Sequence, residues 1–223
     1  IGCIMDVMIK EPITKQAGFK LSGPLIIALI VAGVSTLKYC TSKTYNEYLG
    51  IYQHVSISPE QEISIGLQTK PAMIDPDQRS QQLVNEVGQQ LVNQSIARNT
   101  PYQYEFTVLN DQNTINAFAL PGGQVFITRA LFDQLKSKDQ LAGVLGHEIG
   151  HVVGRHAGER MQKDGLLQGL AGAAGVAFGD YGSNQAAQQV AALIGLSYGR
   201  DQELQSDNLG VRFMIDAGFN PEE

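Results

Sequence analysis

The sequence predicts an α+β fold, mostly helical, with a small sheet of three or four strands packed against one motif helix. Two runs, 104–110 and 124–129, alternate as strands, while several longer segments repeat apolar residues at helical spacing. The run HEIGHVVGRH at 147–156 places three of the chain's four histidines on or beside one such helix. At 223 residues the chain can bury one sizeable core.

Residues 21–37, LSGPLIIALIVAGVSTL, carry no charge, lie between Lys20 and Lys38, and follow Lys10 and Lys15. A basic stretch before an apolar run is the pattern of a signal peptide or short signal anchor. The run is just under the ~20 residues that a perpendicular spanning helix needs, so a buried hydrophobic hairpin is the alternative. Residues 1–42 are read as an N-terminal leader with that signal or membrane anchor, and 43–223 as the folded domain. Such a leader places the domain outside the cytoplasm, most simply in a bacterial periplasm or cell envelope, with membrane attachment through 21–37. Cys3 and Cys40 offer neither a metal knuckle nor a disulfide framework, although a bridge between them would be feasible. Lys38 and Tyr39 stand where a lipoprotein signal before Cys40 would need small residues.

Residues 45–70 are mixed and polar, with SPEQEISIG (58–66) reading as a helix start. Within 80–97, Leu83, Val84, Val87, Leu91 and Val92 recur at helical spacing. NAFALPGG (116–123) is a short extended piece ending in a Pro-Gly-Gly turn. Ser137, with Gln140 at capping-box spacing, starts the motif helix, whose apolar stripe is Leu141, Val144, Leu145, Ile149 and Val152. Residues 165–199 hold one charge, Asp180, and read as a helical hairpin broken near 179–184. Neither arm is long enough to span a membrane, so it is expected to pack against the domain. A last helix covers about 200–217, and Asn220-Pro221 reads as the start of another, so the domain is expected to continue past Glu223. A net charge of −6 without any Lys/Arg cluster excludes a nucleic-acid partner.

His147 and His151, four apart on a helix, project from one face about a turn apart. Two imidazoles so placed can reach one tetrahedral zinc at ~2.0–2.1 Å. Glu148, one step round the helix, reaches a water at that site without being a ligand. Two candidates compete for third ligand. His156 arrives one residue too early for H-E-x-x-H-x-x-G-x-x-H, where position 157 is Ala157. On a continuing helix it would point about 140° away from His151. It is read as a surface histidine or one contacting a ligand. Glu203, in RDQELQSD, pairs at i, i+4 with Asp207, so Glu203 can complete the metal shell while Asp207 accepts from a ligating imidazole. Gly143, Gly146, Gly150 and Gly154 lie on or beside the histidine face and would let the 200–217 helix and the 116–119 strand approach closely.

NAFALPGG, HEIGH and RDQELQSD, in that order, resemble the HtpX-like and CAAX-prenyl-protease family of zinc metallopeptidases, which are gluzincins with a zincin-like fold. The resemblance runs from about Ser58 to the end and is nearest to the soluble cell-envelope branch. It implies one zinc per chain on His147, His151 and Glu203, Glu148 as the catalytic base, and Asp207 holding a ligand. It also implies that Asn116, Ala117, Phe118 and Ala119 form an edge strand against which a polypeptide substrate is added. The expected activity is metal-assisted peptide-bond hydrolysis in cell-envelope protein quality control. A zinc-binding chaperone or adaptor, or a latent protease, is the alternative. A deformylase-type site would need a cysteine ligand, and both cysteines lie in the leader. The oxyanion-stabilising His, Tyr or Arg that related peptidases carry beyond the glutamate helix finds no match before Glu223.

Overall fold

The structure, a computed structural model, describes residues 22–178 and 198–223. Cys3 and the second half of the expected 165–199 hairpin lie outside the described residues.

The chain opens with a helix, α1 (Gly23–Thr41), followed by an antiparallel hairpin of β1 (Lys43–Asn46) and β2 (Ile51–His54). No strand signal marked this hairpin, because its work is polar. Buried Asn46 and Gln53 point their amides at Val153 O (3.0 Å) and Gly154 O (3.0 Å), the carbonyls left unpaired where the motif helix ends. Helix α2 (Pro59–Thr69) starts with a full capping box, Ser58 and Gln61 serving each other's backbone N–H.

Helix α3 (Gln78–Gln94) carries the expected apolar stripe; Val84, Val87 and Leu91 are buried against the central sheet and the motif helix. That sheet has the order β3 (Glu105–Leu109), β5 (Gln124–Thr128), β4 (Ala117–Ala119). β3 pairs in parallel with β5, and β4 runs antiparallel along β5's other side, so β4 is an edge. The turn from β4 to β5 uses Gly122 and Gly123 at φ +90° and +106°, and a side chain on Gly122 would strike the Ile63 backbone at 2.4 Å. A single helical turn, α4 (Arg129–Phe132), follows β5.

The motif helix α5 (Lys138–Val153) starts where Ser137 Oγ accepts from Gln140 N at 3.1 Å. The Gln140 side chain returns its bond to Lys136 N rather than to Ser137. Helix α6 (His156–Phe178) begins nine residues earlier than the expected arm at 165 and packs along α1 more than against the domain. The last helix, α7 (Arg200–Asp216), lies along α5.

The α5–α7 contact is close because both helices bring small residues to it. A methyl group on Gly150 would sit 2.9 Å from Ser206 Cα and O, and one on Gly210 would sit 3.0 Å from His147 N. Leu145, Ile149, Leu209 and Phe213 seal the flanks of this contact. Gly143 is different, since a methyl there meets only Met214 Sδ at 3.7 Å. Gly150→Ala is therefore expected to destabilise the fold by about 1–3 kcal/mol through overpacking. Gly143→Ala should be neutral or stabilising by up to ~1 kcal/mol through helix propensity. Urea unfolding of the two variants beside the parent checks this, and equal midpoints would contradict it.

Candidate metal centre

Helix α5 presents His147 and His151 on one face, their Nε2 atoms 3.0 Å apart. From the first turn of α7, Glu203 Oε2 lies 3.3 Å from His147 Nε2 and 3.9 Å from His151 Nε2. These three residues form a candidate metal-binding group, the one such group among the described residues. Zinc–ligand bonds of ~2.0–2.1 Å at tetrahedral angles give ligand–ligand separations of about 3.4 Å. The three observed distances bracket that value, and two imidazoles with one carboxylate are a donor set zinc accepts. The residues fit the ion.

The other imidazole nitrogens are also engaged. Exposed Asp207, one turn after Glu203, places Oδ1 2.8 Å from His147 Nδ1. His151 Nδ1 lies 2.9 Å from His156 Nδ1, and His156 Nε2 lies 3.0 Å from Gln205 Oε1. One tautomer set satisfies this chain: His151 donates from Nδ1, His156 accepts there and donates from Nε2 to the Gln205 carbonyl oxygen. Burial, then neighbouring His156 and His147, lowers the His151 pKa to about 2. Burial lowers that of His156 to about 4 against the opposing bond to Gln205. Both rings are neutral at pH 7, the form that ligates metal and shares one proton between rings.

His156 is thus not a surface residue; it is 1% exposed and lies beneath His151. The reason is the backbone between them. Gly154 stays in the right-handed helical region, and the break comes at Arg155, at φ +56°. That residue is strained by roughly 1–2 kcal/mol in this conformation. Its guanidinium is held by buried Glu62 (3.1 Å) and by Ile57 O (2.7 Å). Tyr102 donates to the same Glu62 carboxylate. This network turns the chain so that the His156 ring comes back against Gly154 and His151.

Glu148 is 9% exposed and stands between the histidine face and β4. Burial pushes its pKa up to about 7, and Glu203 adds to that, while His147 and a backbone hydrogen bond from Ala119 oppose it. A carboxyl poised there accepts and returns a proton readily, although a cation beside it would lower the value.

Asn116 O accepts from Thr128 N, and Leu120 N donates to Gln124 O, so residues 116, 118 and 120 face β5. By antiparallel alternation the backbone groups of Ala117 and Ala119 face away from it, towards the open edge. Phe118 stacks on buried Phe126 at 5.2 Å and fixes the strand from beneath. A narrow crevice lined by Ala119, Leu120, His151 and Tyr198 runs from the end of β4 to His151.

Tyr198 had no sequence signal, since no spacing rule marks the residue two before α7. Its ring stacks on His151 at 4.0 Å and 21°. Burial, then Glu148 and Glu203, raises its pKa, which keeps the phenol protonated.

The sequence pattern of peptidase family M48 matches residues 78–223. The chain is 30% identical to a β-barrel assembly-enhancing protease of Yersinia pestis over 91% of its own length and 44% of that protein's. It is 34% identical to the protein of that name in Escherichia coli (63% and 30% of the two lengths). With the mitochondrial metalloendopeptidase OMA1 of Arabidopsis thaliana it shares 30% identity (53% and 24%). The chain spans less than half the length of these relatives.

Removing an outer partner of a metal-bound imidazole costs about 10–100-fold in metal affinity. His156→Ala is expected to weaken zinc binding by that factor while keeping one zinc per chain. Chelator competition measures it; loss of the site altogether would make His156 a ligand.

Proposed function

The chain belongs to peptidase family M48, and from that membership we propose that it is a zinc metalloendopeptidase. It would hold one zinc on His147, His151 and Glu203 and hydrolyse peptide bonds of polypeptides added as a strand along β4. The observation that carries this reading is the convergence on one spot of two imidazole nitrogens, the Glu203 carboxylate and the buried Glu148.

When bound, zinc supplies Lewis acidity, lowering the pKa of a coordinated water towards ~7 and polarising the scissile carbonyl. Glu148 accepts a proton from the attacking water and delivers it to the leaving nitrogen. Its attachment to Ala119 fixes the base relative to the strand that receives the substrate. The N–H and C=O of Ala117 and the C=O of Ala119, whose N–H is held by Glu148, pair with the substrate main chain whatever its side chains, which suits broad specificity. Asp207 and His156 hold the two imidazoles in the tautomers that leave both Nε2 atoms free for metal.

The proposed setting is the bacterial periplasm or cell envelope, with residues 1–42 as the targeting and anchoring segment and quality control of envelope proteins as the role. The names of the β-barrel assembly-enhancing proteases and the apolar α1 support it.

Glu148→Gln should abolish hydrolysis of an unfolded polypeptide while zinc stays bound; cleavage at the parental rate would remove Glu148 from the mechanism. Ala117→Pro removes an N–H aimed at the open edge without touching β5, a position where proline is tolerated. It should lower kcat/KM by about tenfold, the worth of ~1.4 kcal/mol, close to one net hydrogen bond. An unchanged kcat/KM would exclude β4 as the substrate strand.

A further inference from the structure

Helix α1 has 19 residues and a mean hydropathy of 1.7, enough to cross a bilayer by length and composition. A core helix of that composition would be covered by protein. Here Ile26, Ile27, Leu29, Ile30, Val34 and Leu37 are 45–65% exposed, and Ala28 is its one buried residue.

Helix α6 is packed along it. Gln162 Nε2 donates to Lys38 O at 3.4 Å, and further along, a methyl on Gly169 would sit 2.1 Å from Ser35 Oγ. Position rises in one helix as it falls in the other, so the pair is antiparallel. Gly169 and Ala173 stand four residues apart, the spacing of small residues that lets membrane helices approach closely, while Gly165 meets open space. Ala173 is buried, while Leu167 and Leu170 on other faces of the helix are 54% and 40% exposed.

From Gly165 to Phe178 α6 carries no charge. That stretch measures about 21 Å, less than the ~30 Å hydrocarbon core. An apolar helix of this length is either covered by the protein core or enters a membrane part-way. Among the described residues no core covers Leu167 and Leu170, which favours the second. Charge also changes at one level. Arg160, Lys163 and Asp164 precede the apolar stretch of α6, and Lys38 of α1 stands opposite Gln162 at the same height. Such groups mark the water side of an interface.

We infer that α6 enters the lipid bilayer beside α1, so that the two helices form one anchor whose second arm leads directly to the metal centre. This rests on the reading of α1 as a membrane span. His156, the first residue of α6, is nine residues from Gly165, or about 14 Å along the helix. The metal centre is thereby held close to the membrane surface, and the polypeptides it meets are those lying next to lipid. The contact along α6 also makes α1 a retained part of the fold rather than a leader to be removed.

The chain has no tryptophan, so single-tryptophan variants report their own surroundings. The full chain is reconstituted into phosphatidylcholine vesicles with and without dibrominated acyl chains, as Leu29→Trp (α1), Leu170→Trp (α6) and Ile215→Trp (α7, 59% exposed). Leu29→Trp and Leu170→Trp should lose most of their emission in brominated lipid, and Ile215→Trp should keep its own. Leu167→Trp, one turn nearer the domain, repeats the α6 measurement at a second exposed position. Emission kept at both α6 positions while Leu29→Trp is quenched overturns the inference. Emission kept in Leu29→Trp as well overturns the reading of α1 beneath it, and quenching of Ile215→Trp equal to the others removes the selectivity on which it stands.

Discussion

The structure depends on how closely α5 and α7 approach. Gly150 lies on the backbone of Ser206, and Gly210 on that of His147, with no side chain between. One larger residue at either position would push α7 outward. Glu203 sits in the first turn of α7, so such a shift is passed straight to its carboxylate. The distances of 3.3 and 3.9 Å from the imidazoles exist because the backbones touch. Gly150 and Gly210 give up helix propensity, each by up to ~1 kcal/mol relative to alanine, and the buried flank of Leu145, Ile149, Leu209 and Phe213 offsets it.

Once that distance is set, the same helix supplies the outer contacts. Glu203, Gln205 and Asp207 all lie within the first two turns of α7, on Nε2 of His147, Nε2 of His156 and Nδ1 of His147 respectively. A single rigid element thus orients His147 and His156 directly, and His151 through His156. The Arg155 turn serves the same end from the other side, since its left-handed backbone places His156 under His151 and the Glu62 and Ile57 contacts keep it there. Side chains of a candidate metal centre held by the core in this way need little reorganisation to take up a ligand.

Most of the site was legible in the sequence because its chemistry is written in fixed spacings. His147, His151 and Glu148 follow from one helical turn, and Glu203 with Asp207 from another. The strands and α3 were legible from periodicity. The β1–β2 hairpin was not, because it buries the amides of Asn46 and Gln53 against a helix end rather than an apolar face, and no alternation results. Of the two readings of His156, contact with a ligating residue holds and surface exposure does not; the turn that buries it comes at Arg155, which only its partners Glu62 and Ile57 explain. Those partners lie some ninety residues upstream, beyond any local rule. Tyr198 belongs to the same class: its stacking on His151 is a tertiary contact with no sequence spacing.

The central claim is that two histidines of α5 and a glutamate of α7 make the metal shell, with His156 outside it. X-ray absorption at the zinc edge of the reconstituted protein tests this most directly. The account predicts two imidazoles and the remainder oxygen, with the imidazole count unchanged in His156→Ala and one oxygen altered in Glu203→Ala. A shell of three imidazoles in the parent, falling to two in His156→Ala, would contradict it.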